Sequence, residues 1–467
     1  MSKPLHVNLF EMNCVSHIVH GLWAHPENQR HRFNDIDYWT ELAQLLEHGT
    51  FDGVFLADVV GVYDRFRGGP ETALREAVQV PSNDPLLVIP AMAAVTRNLG
   101  FGATFSTTYE PPFAFARRMS TLDHLTRGRV GWNIVTSYLP NAARNFGLDD
   151  EVPHDRRYEI ADEYLDVLYK LWEGSWDDDA VIADRQRRIY TDPAKVRYID
   201  HVGEHFRVAG PHLCQPSRQR TPVLFQATGS PAGTEFAGRH AEVVFTGGPT
   251  PATVRRNIAH MRERARAHGR DPAGIKFIVQ AAVIVGRNDL EVQAKLEDYR
   301  RLQSLDGALA HMQSGVDLAA FPAHTPLAEL PGGGPWAALL ASDPQATVGQ
   351  LVKRLGGFDE GRFFVAGTPK VVADEIEKWL DEDGIDGINL RQFLTPHTAR
   401  DFIELVVPEL RRRGRFREAY NDGETLRERL FGAGHARLPA DHHGARYRDP
   451  AALHQASAPL RFAQAPA

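Results

Sequence analysis

The segment LGFGATFSTTYEPPFAFARRMSTLDHLTRGRVGWNIV, residues 99–135, decides the fold. It starts with an apolar run that predicts a strand over Leu99–Phe105 and ends with a second run, RVGWNIV, over Arg129–Val135. Between them, ARRMSTLDHL has the apolar spacing of an amphipathic helix. A strand, a helix and a second strand in this order predict two parallel strands joined by a crossover helix.

The same alternation extends along the chain in both directions. Further short apolar runs predict six more strands, at Leu5–Phe10, Gly53–Ala57, Thr221–Ala227, Ala241–Thr246, Ile275–Val285 and Asp386–Leu390. Helical patterns separate most of them, for example DIDYWTELAQLLEHG after the first strand and PKVVADEIEKWLDEDG before the last. Eight strands that alternate with helices predict an α/β fold, a closed (β/α)8 TIM barrel.

Three stretches do not follow this pattern. We expect a single barrel domain over residues 1–431, with insertions near 176–216 and 304–362. The second insertion contains ELPGGGPW and is rich in Ala, Gly and Pro, which predicts a mobile loop. Residues 432–467 form a C-terminal extension with little core-forming pattern, and we expect its first half to pack on a partner subunit.

The overall composition argues against several classes of protein. The chain has 53 Lys and Arg against 60 Asp and Glu, a net charge of −7, so we expect no nucleic-acid partner. The start MSKPLHVNLFEM lacks the apolar stretch of a signal peptide, and no window of the sequence is apolar enough to span a membrane. With two cysteines, and no HExxH motif among 21 histidines, we expect a cytoplasmic protein without a metal site.

Polar residues lie near the ends of several predicted strands, where a barrel places its active site. Asp58 follows the second strand, Thr104 and Asn133 lie near the ends of the third and fourth, and Tyr138 comes shortly after the fourth. A carboxylate at Asp58 can accept a hydrogen bond from a ligand or position a backbone turn. His17, shortly after the first strand, is a natural proton donor or acceptor near neutral pH, although a lone histidine is more often structural.

Two further segments predict a phosphate site. Gly229 and Ser230 form a turn at the start of a predicted helix, where free backbone N–H groups and the positive end of the helix dipole attract anions. His154 and Tyr158 lie four residues apart on one face, around the start of another helix. Together these residues could grip one phosphate, whereas each segment alone is compatible with an ordinary capped loop or a solvated, charged helix start.

Several longer strings carry a resemblance to a known family. They are FEMNCVSHIVHGLWAHPENQRHRF, LADVVGVYD, FSTTYE, RRMSTLDHLTRGRVGWNIVTS, GPHLCQPS and RLPADHHGARYRDP. The chain resembles the bacterial-luciferase superfamily, in the branch of the nitrilotriacetate, dibenzothiophene-sulfone and dimethyl-sulfide monooxygenases, and within it the long-chain alkane monooxygenases most of all. The resemblance covers about residues 5–448 and is weakest over 314–364.

The resemblance implies a luciferase-like TIM barrel that works as one half of a two-component system. A separate NAD(P)H-dependent flavin reductase would supply reduced FMN, and O₂ would add to it to give a flavin C4a-peroxide in a dry pocket. The implied reaction is terminal hydroxylation of a medium- or long-chain alkane by a homodimer or homotetramer. The alternatives are oxidation of a thioether, sulfone or amine with C–S or C–N cleavage, deazaflavin-dependent hydride transfer, and flavin binding without oxygenase activity.

The resemblance also assigns roles to individual residues. Around the isoalloxazine ring it implies Asp58, Thr104 and Asn133, and on the phosphate and ribityl side His154, Tyr158, Gly229 and Ser230. As pocket residues it implies Cys14, His17, Tyr63, Gln79 and His311, of which the histidines and the tyrosine can hydrogen-bond to the flavin peroxide or protonate it. Tyr138 replaces a histidine of the alkane enzymes, and near neutral pH a tyrosine is a much poorer proton acceptor. The substrate and the proton path therefore stay open.

Overall fold

Eight parallel strands form a closed barrel with helices around it, as the sequence predicts. The computed structural model describes residues 3–248, 250–330, 336, 340, 343–355, 363–382, 384–455 and 460. Its strands are β1 His6–Met12, β2 Gly53–Ala57, β3 Gly100–Ser106, β4 Val130–Val135, β5 Val181–Asp184, β6 Ile189–Thr191, β7 His201–Val202, β8 Arg207–Val208, β9 Val223–Ala227, β10 Val243–Thr246, β11 Lys276–Val285, β12 Phe363–Gly367 and β13 Gly387–Arg391.

The α-helices of the described residues lie between and around these strands. They are α1 Ile36–His48, α2 Glu71–Arg75, α3 Ile89–Ala94, α4 Pro112–Leu125, α5 Pro140–Asn145, α6 His154–Tyr169, α7 Pro231–His240, α8 Pro251–Ala267, α9 Asp289–Leu302, α10 Leu305–His311, α11 Val348–Leu355, α12 Pro369–Asp381, α13 His397–Asp401, α14 Val407–Arg412 and α15 Leu426–Phe431. In this part of the chain, no helix combines the length and the apolar character that a membrane crossing needs.

The barrel closes in the order β1-β2-β3-β4-β9-β10-β11-β13, with β13 pairing back to β1. These eight strands are the predicted ones, each displaced by two residues or fewer at either end. They could be found because a parallel barrel strand is covered on both faces and therefore appears as a short, nearly continuous apolar run.

The sequence analysis missed a ninth parallel strand, β12. Strand β11 is 10 residues long, and only its first half belongs to the closed barrel. Its second half pairs with β12, from Ala281 opposite Phe363 to Val285 opposite Gly367. Strand β12 has only five residues and follows directly on the predicted insertion at 304–362, where the chain shows little regular pattern.

Both predicted insertions contain regular structure. Residues 176–216 hold two small antiparallel ribbons, β5–β6 and β7–β8. The described part of 304–362 holds α10, α11 and two short 3-10 helices, while most of the predicted ELPGGGPW loop lies outside the described residues. This second insertion has its own apolar core, in which Leu309 and Leu351 pack with Tyr63 and Phe66 from the loop after β2.

The C-terminal part of the chain packs on the barrel in two places. Helix α15 closes the end of the barrel opposite the strands' carboxyl ends, since Leu426 and Leu430 pack against Phe55 and Ile278. Beyond it, residues 432–455 lie against α6 and α7 of their own chain and bury Tyr447. This half of the extension thus packs on its own chain, and its expected contact with a partner subunit stays a prediction.

Candidate active site

A cavity of about 800 Å³ opens at the carboxyl ends of the barrel strands. Its apolar lining includes Phe10, Met12, Ile18, Phe55 and Val135. Eight of the predicted site residues line it: His17, Asp58, Gln79, Thr104, Asn133, Tyr138, Gly229 and His311. The structure therefore brings together residues from widely separated parts of the sequence, because every parallel strand ends at the same rim.

The floor of the cavity is polar. The Asn133 side-chain amide donates a hydrogen bond to Thr104 Oγ1 at 3.0 Å. Asn133 Oδ1 and Asn389 Oδ1 line the cavity and are buried without a hydrogen-bond partner among the described residues. Because burying an unsatisfied polar atom is costly, two such atoms around one cavity indicate a ligand that supplies the missing donors.

The sequence analysis missed two polar residues in this floor, Gln280 and Asn389, which line the cavity from β11 and β13. A signal was present in the sequence, because Gln280 is the only uncharged polar residue in the run IKFIVQAAVIV. A single polar residue inside an apolar barrel strand points into the barrel, where it needs a partner.

Asp58 lies just beyond β2 at the cavity wall. Burial, and next the nearby carboxylate of Asp84, raise the pKa of Asp58 from 3.8 to about 8. The carboxyl group is therefore mostly protonated at neutral pH, and it can donate a hydrogen bond as well as accept one.

His17 is buried in the cavity wall, where the Phe10 ring contacts it edge-on at 4.4 Å between ring centroids. Burial, and next the positive charge of Arg30, lower the pKa of His17 well below its ordinary value. The imidazole is therefore neutral at neutral pH. It offers one nitrogen as a donor and the other as an acceptor.

Tyr63, Gln79 and Tyr138 form a directed chain of hydrogen bonds. The Tyr63 hydroxyl donates to Gln79 Oε1 at 2.9 Å and lies 2.7 Å from the Tyr138 hydroxyl. An amide oxygen can only accept and a hydroxyl has one proton, so Tyr138 donates to Tyr63. Burial and the neighbouring Tyr138 also raise the pKa of Tyr63 well above its ordinary value. The half-exposed Tyr138 hydroxyl therefore offers a ligand an acceptor and no donor.

Gln79 is held in an unusual conformation. Its φ of 54° lies in the left-handed region, which costs a residue with a side chain roughly 1 kcal/mol or more. The backbone N–H of Gln79 donates to Ser16 O at 3.2 Å, and its side-chain amide donates to His17 O at 3.4 Å. These contacts tie the segment of His17 to the tyrosine pair, so they fix one side of the cavity as a unit.

His311 enters the cavity from the last turn of α10. Its Nδ1 lies 2.9 Å from His20 Nε2, and its ring contacts Tyr63 edge-on at 5.0 Å between centroids. Neither spacing nor composition could have connected residue 311 to residues 20 and 63, because the connection depends on how the 304–355 insertion folds back. Only the family resemblance pointed to it.

Cys14 and Tyr63 lie behind the cavity wall. The Cys14 thiol donates to Ser16 O at 3.0 Å. Burial raises the pKa of Cys14 to about 12, so the thiol stays protonated and is a poor nucleophile.

The remaining predicted residues meet at the start of α7. Ser230 is the N-cap of this helix, and its Oγ accepts a hydrogen bond from Gly233 N at 3.1 Å. The hydroxyls of Tyr158 and Ser230 lie 2.6 Å and 3.0 Å from the point that a Cβ on Gly233 would occupy. They therefore share one small volume. His154, largely exposed, packs its ring on Tyr158 at 5.3 Å between centroids.

This place has the features of an anion site. Pro231 has no N–H and the Gly233 N–H donates to Ser230 Oγ, so the Ala232 N–H and the positive dipole end of α7 lie here, together with the Ser230 and Tyr158 hydroxyls. The Thr228 hydroxyl is buried there without a partner among the described residues, and a Cβ on Gly229 would meet open space. A phosphate fits these donors, and Gly229 continues the site into the main cavity. The described residues contain no cluster of His, Cys, Asp and Glu arranged for a metal ion.

Comparisons with known proteins find similar sequences and similar structures over nearly the whole chain. Long-chain alkane monooxygenase of Geobacillus thermodenitrificans (strain NG80-2) is 53% identical over 453 residues, 96% of this chain and 99% of that protein. A crystal structure of long-chain alkane monooxygenase superposes with a TM-score of 0.89 at 53% identity, covering 96% of this chain and 100% of the other.

Two further relatives are similar over the same length. Dimethyl-sulfide monooxygenase of Hyphomicrobium sulfonivorans is 45% identical over 462 residues, 96% of this chain and 95% of that protein. A crystal structure of riboflavin lyase with modified FMN and riboflavin has a TM-score of 0.88 at 38% identity and covers 96% of this chain and 100% of the other. The sequence profile of the luciferase-like monooxygenases matches residues 12–387. The chain therefore belongs to the luciferase-like monooxygenase family, as its sequence motifs and its eight-stranded barrel both indicate.

Proposed function

We propose that the chain is the oxygenase of a two-component system, which uses reduced FMN and O₂ to hydroxylate the terminal carbon of a medium- or long-chain alkane. A separate NAD(P)H-dependent flavin reductase would supply the reduced FMN. One observation carries the proposal: Gly229, which adjoins the anion site at the start of α7, and the buried His17 line the same cavity. A phosphorylated cofactor held at one end would thus present its ring to the other.

The donors at the start of α7 support FMN as the flavin, because riboflavin has no phosphate for them to bind. Ser230 and Tyr158 would donate to the phosphate oxygens, and the positive dipole end of α7 would balance part of the charge. The riboflavin lyase relative holds a modified FMN. When bound, reduced FMN supplies the two electrons that let one atom of O₂ enter the substrate.

Asp58, Thr104 and Asn133 would hold the flavin ring. The protonated Asp58 can donate a hydrogen bond, and Asn133 Oδ1 can accept one. Because Thr104 accepts from the Asn133 amide, it keeps the Asn133 oxygen turned away from itself and available to the ring. These groups would orient the cofactor and exclude water from its reactive face.

His17 would handle a proton during the reaction. A neutral imidazole in a buried wall can hold a proton at one nitrogen and accept at the other, without adding a net charge to the cavity. Gln79 and the tyrosine pair would hold the segment of His17 in position. His311 would contribute a second imidazole to the cavity lining.

The apolar lining supports a substrate with a long apolar part, and the 53% identity to an alkane monooxygenase supports an alkane. Oxidation of a thioether or an amine, with C–S or C–N cleavage, is the second candidate. The 45% identity to dimethyl-sulfide monooxygenase favours it, and Tyr138 offers a ligand no proton donor.

A substrate screen tests the proposed reaction. The purified chain, NADH, FMN and a general FMN reductase are incubated with ¹⁸O₂ and with alkanes, sulfides or amines, and products are measured by mass spectrometry. We expect labelled primary alcohols from alkanes. Turnover of sulfides or amines alone would favour the second candidate, and peroxide release with every compound would contradict oxygenase activity.

Removal of one hydroxyl at the anion site should weaken binding of reduced FMN. We expect Ser230→Ala and Tyr158→Phe each to cost about 1 to 3 kcal/mol, because each loses a charge-assisted hydrogen bond. Anaerobic fluorescence titration measures the affinity. Tyr164→Phe is the matched control, since Tyr164 lies on the same helix but packs against Trp132 and Phe206. Unchanged affinity in both site variants would remove the phosphate assignment.

His17→Ala should bind reduced FMN with the parent's affinity but release peroxide in place of product, because His17 is assigned to the proton and not to binding. The ratio of product formed to NADH consumed measures this coupling. His25→Ala is the control, because His25 lies in the same segment but is bonded to Asp298 at 2.6 Å outside the cavity lining. Hydroxylation at the parent rate by the His17 variant would disprove its role.

Asp58→Asn should change how stability depends on pH. Between pH 4 and 8 the folded protein holds more protons at Asp58 than the unfolded chain, since the folded pKa is about 8 and the ordinary value 3.8. The free energy of unfolding of the parent should therefore fall as pH rises through this window. The free energy of unfolding of the asparagine variant should fall less over this window, and its excess over that of the parent should be largest near pH 8. Urea unfolding of both proteins at pH 4, 6 and 8 checks it, and parallel pH profiles would contradict it.

A further inference from the structure

Helices α6 and α7 each supply one half of the proposed phosphate site. Tyr158 comes from the first turns of α6, and Ser230 caps the start of α7. The two helices lie side by side, and Tyr158 contacts Phe236 of α7 at 5.6 Å between ring centroids. Because hydrogen bonds weaken steeply when donor and acceptor are misplaced, the site depends on the register between these helices.

Asp162 links the two helices one turn beyond Tyr158. Four residues separate them, so they lie on the same face of α6. Asp162 Oδ2 accepts from Arg239 Nη1 at 3.0 Å, and Oδ1 lies 2.8 Å from His240 Nε2. Arg239 and His240 form the last turn of α7, and all three residues are at most 6% exposed.

The protonation of His240 follows from its two contacts. Burial lowers the pKa of His240 well below its ordinary value, so the ring is neutral. Its Nδ1 lies 3.1 Å from the Tyr169 hydroxyl, which can donate to it, and Nε2–H then donates to Asp162. Both nitrogens of His240 are thus satisfied, and both belong to the contact between α6 and α7.

The C-terminal extension completes this arrangement. His443 Nε2 lies 2.8 Å from Asp166 Oδ1, one further turn along α6, and its Nδ1 accepts from Arg239 Nε at 3.3 Å. Leu460 N donates to Asp162 Oδ2 at 3.1 Å. We name the group of Asp162, Asp166, Arg239, His240 and His443 the helix clasp. It joins α6, α7 and the extension in one buried network, with no member in the cavity lining.

We propose that Asp162 and His443 are positioning residues for the cofactor phosphate, because the helix clasp sets the register between α6 and α7 that brings Tyr158 to Ser230. This inference rests on the proposed function, in which that place binds the phosphate of FMN. Networks of buried charged and polar groups have demanding geometry, so they define one relative position of the elements they join. The C-terminal extension thus acts on cofactor binding through α6 and α7, without touching the cofactor.

The test compares two flavins that differ only in the phosphate. Reduced FMN and reduced riboflavin are titrated anaerobically into the full chain and into D162N and H443Q. We expect the affinity for reduced FMN to fall about tenfold in D162N, and less in H443Q, while the affinity for reduced riboflavin stays as in the parent. H443Q is the milder variant, since His443 is 12% exposed, and it keeps the test valid if D162N folds poorly.

Glu163→Gln is the matched control. Glu163 is the next residue on α6 and also accepts several hydrogen bonds, from Phe206 N at 2.8 Å and His205 N at 3.0 Å. These contacts face the β7–β8 ribbon and not α7. A general loss of stability would affect E163Q as well, whereas loss of helix register should lower the FMN-to-riboflavin affinity ratio in the clasp variants alone.

Two results would overturn the inference. The ratio could stay at the parent value in both clasp variants, or E163Q could lower it as much as they do. A failure of the proposed function looks different, because the parent itself would then bind reduced FMN no more tightly than reduced riboflavin.

Discussion

The structure depends on the pairing of β10 with β11 and of β13 with β1, which closes the parallel sheet on itself. Closure leaves the eight barrel strands without a free edge and satisfies their backbone groups in one continuous ladder. It also brings eight carboxyl ends to one rim, however far apart they lie in the sequence. Asp58, Asn133 and Gly229 line one cavity for this reason.

The barrel could be predicted almost completely, because its signal is local. Each strand is a short apolar run with a helix pattern beside it, and no distant residue is needed to recognise it. Strand β12 was missed because it pairs with the overhanging half of β11 and not with a barrel neighbour. The contacts of the C-terminal extension within the chain, such as His443 with Asp166, could not be predicted because they join residues far apart in sequence.

The site residues also fall into a group that could be predicted from the sequence and a group that could not. Asp58, Thr104, Asn133 and Ser230 follow from a rule about strand ends and helix starts, so the sequence was enough to select them. Tyr63, Gln79 and His311 could not be selected by such a rule, because loops and an insertion carry them to the cavity. The direction of the Tyr138–Tyr63–Gln79 hydrogen bonds, the neutral state of His17 and the protonated state of Asp58 depend on burial and neighbours. These properties are determined by the folded structure and cannot be read from the sequence.

The described part of the 304–362 insertion packs its apolar side chains with those of the loop after β2, in a core separate from that of the barrel, and still contributes His311 to the cavity. The part of the molecule that shapes one chamber wall thus packs outside the core of the barrel. Substitutions in the insertion can therefore change which compounds enter the cavity at little cost to the stability of the barrel. Because the two cores are separate, one barrel can support different reactions.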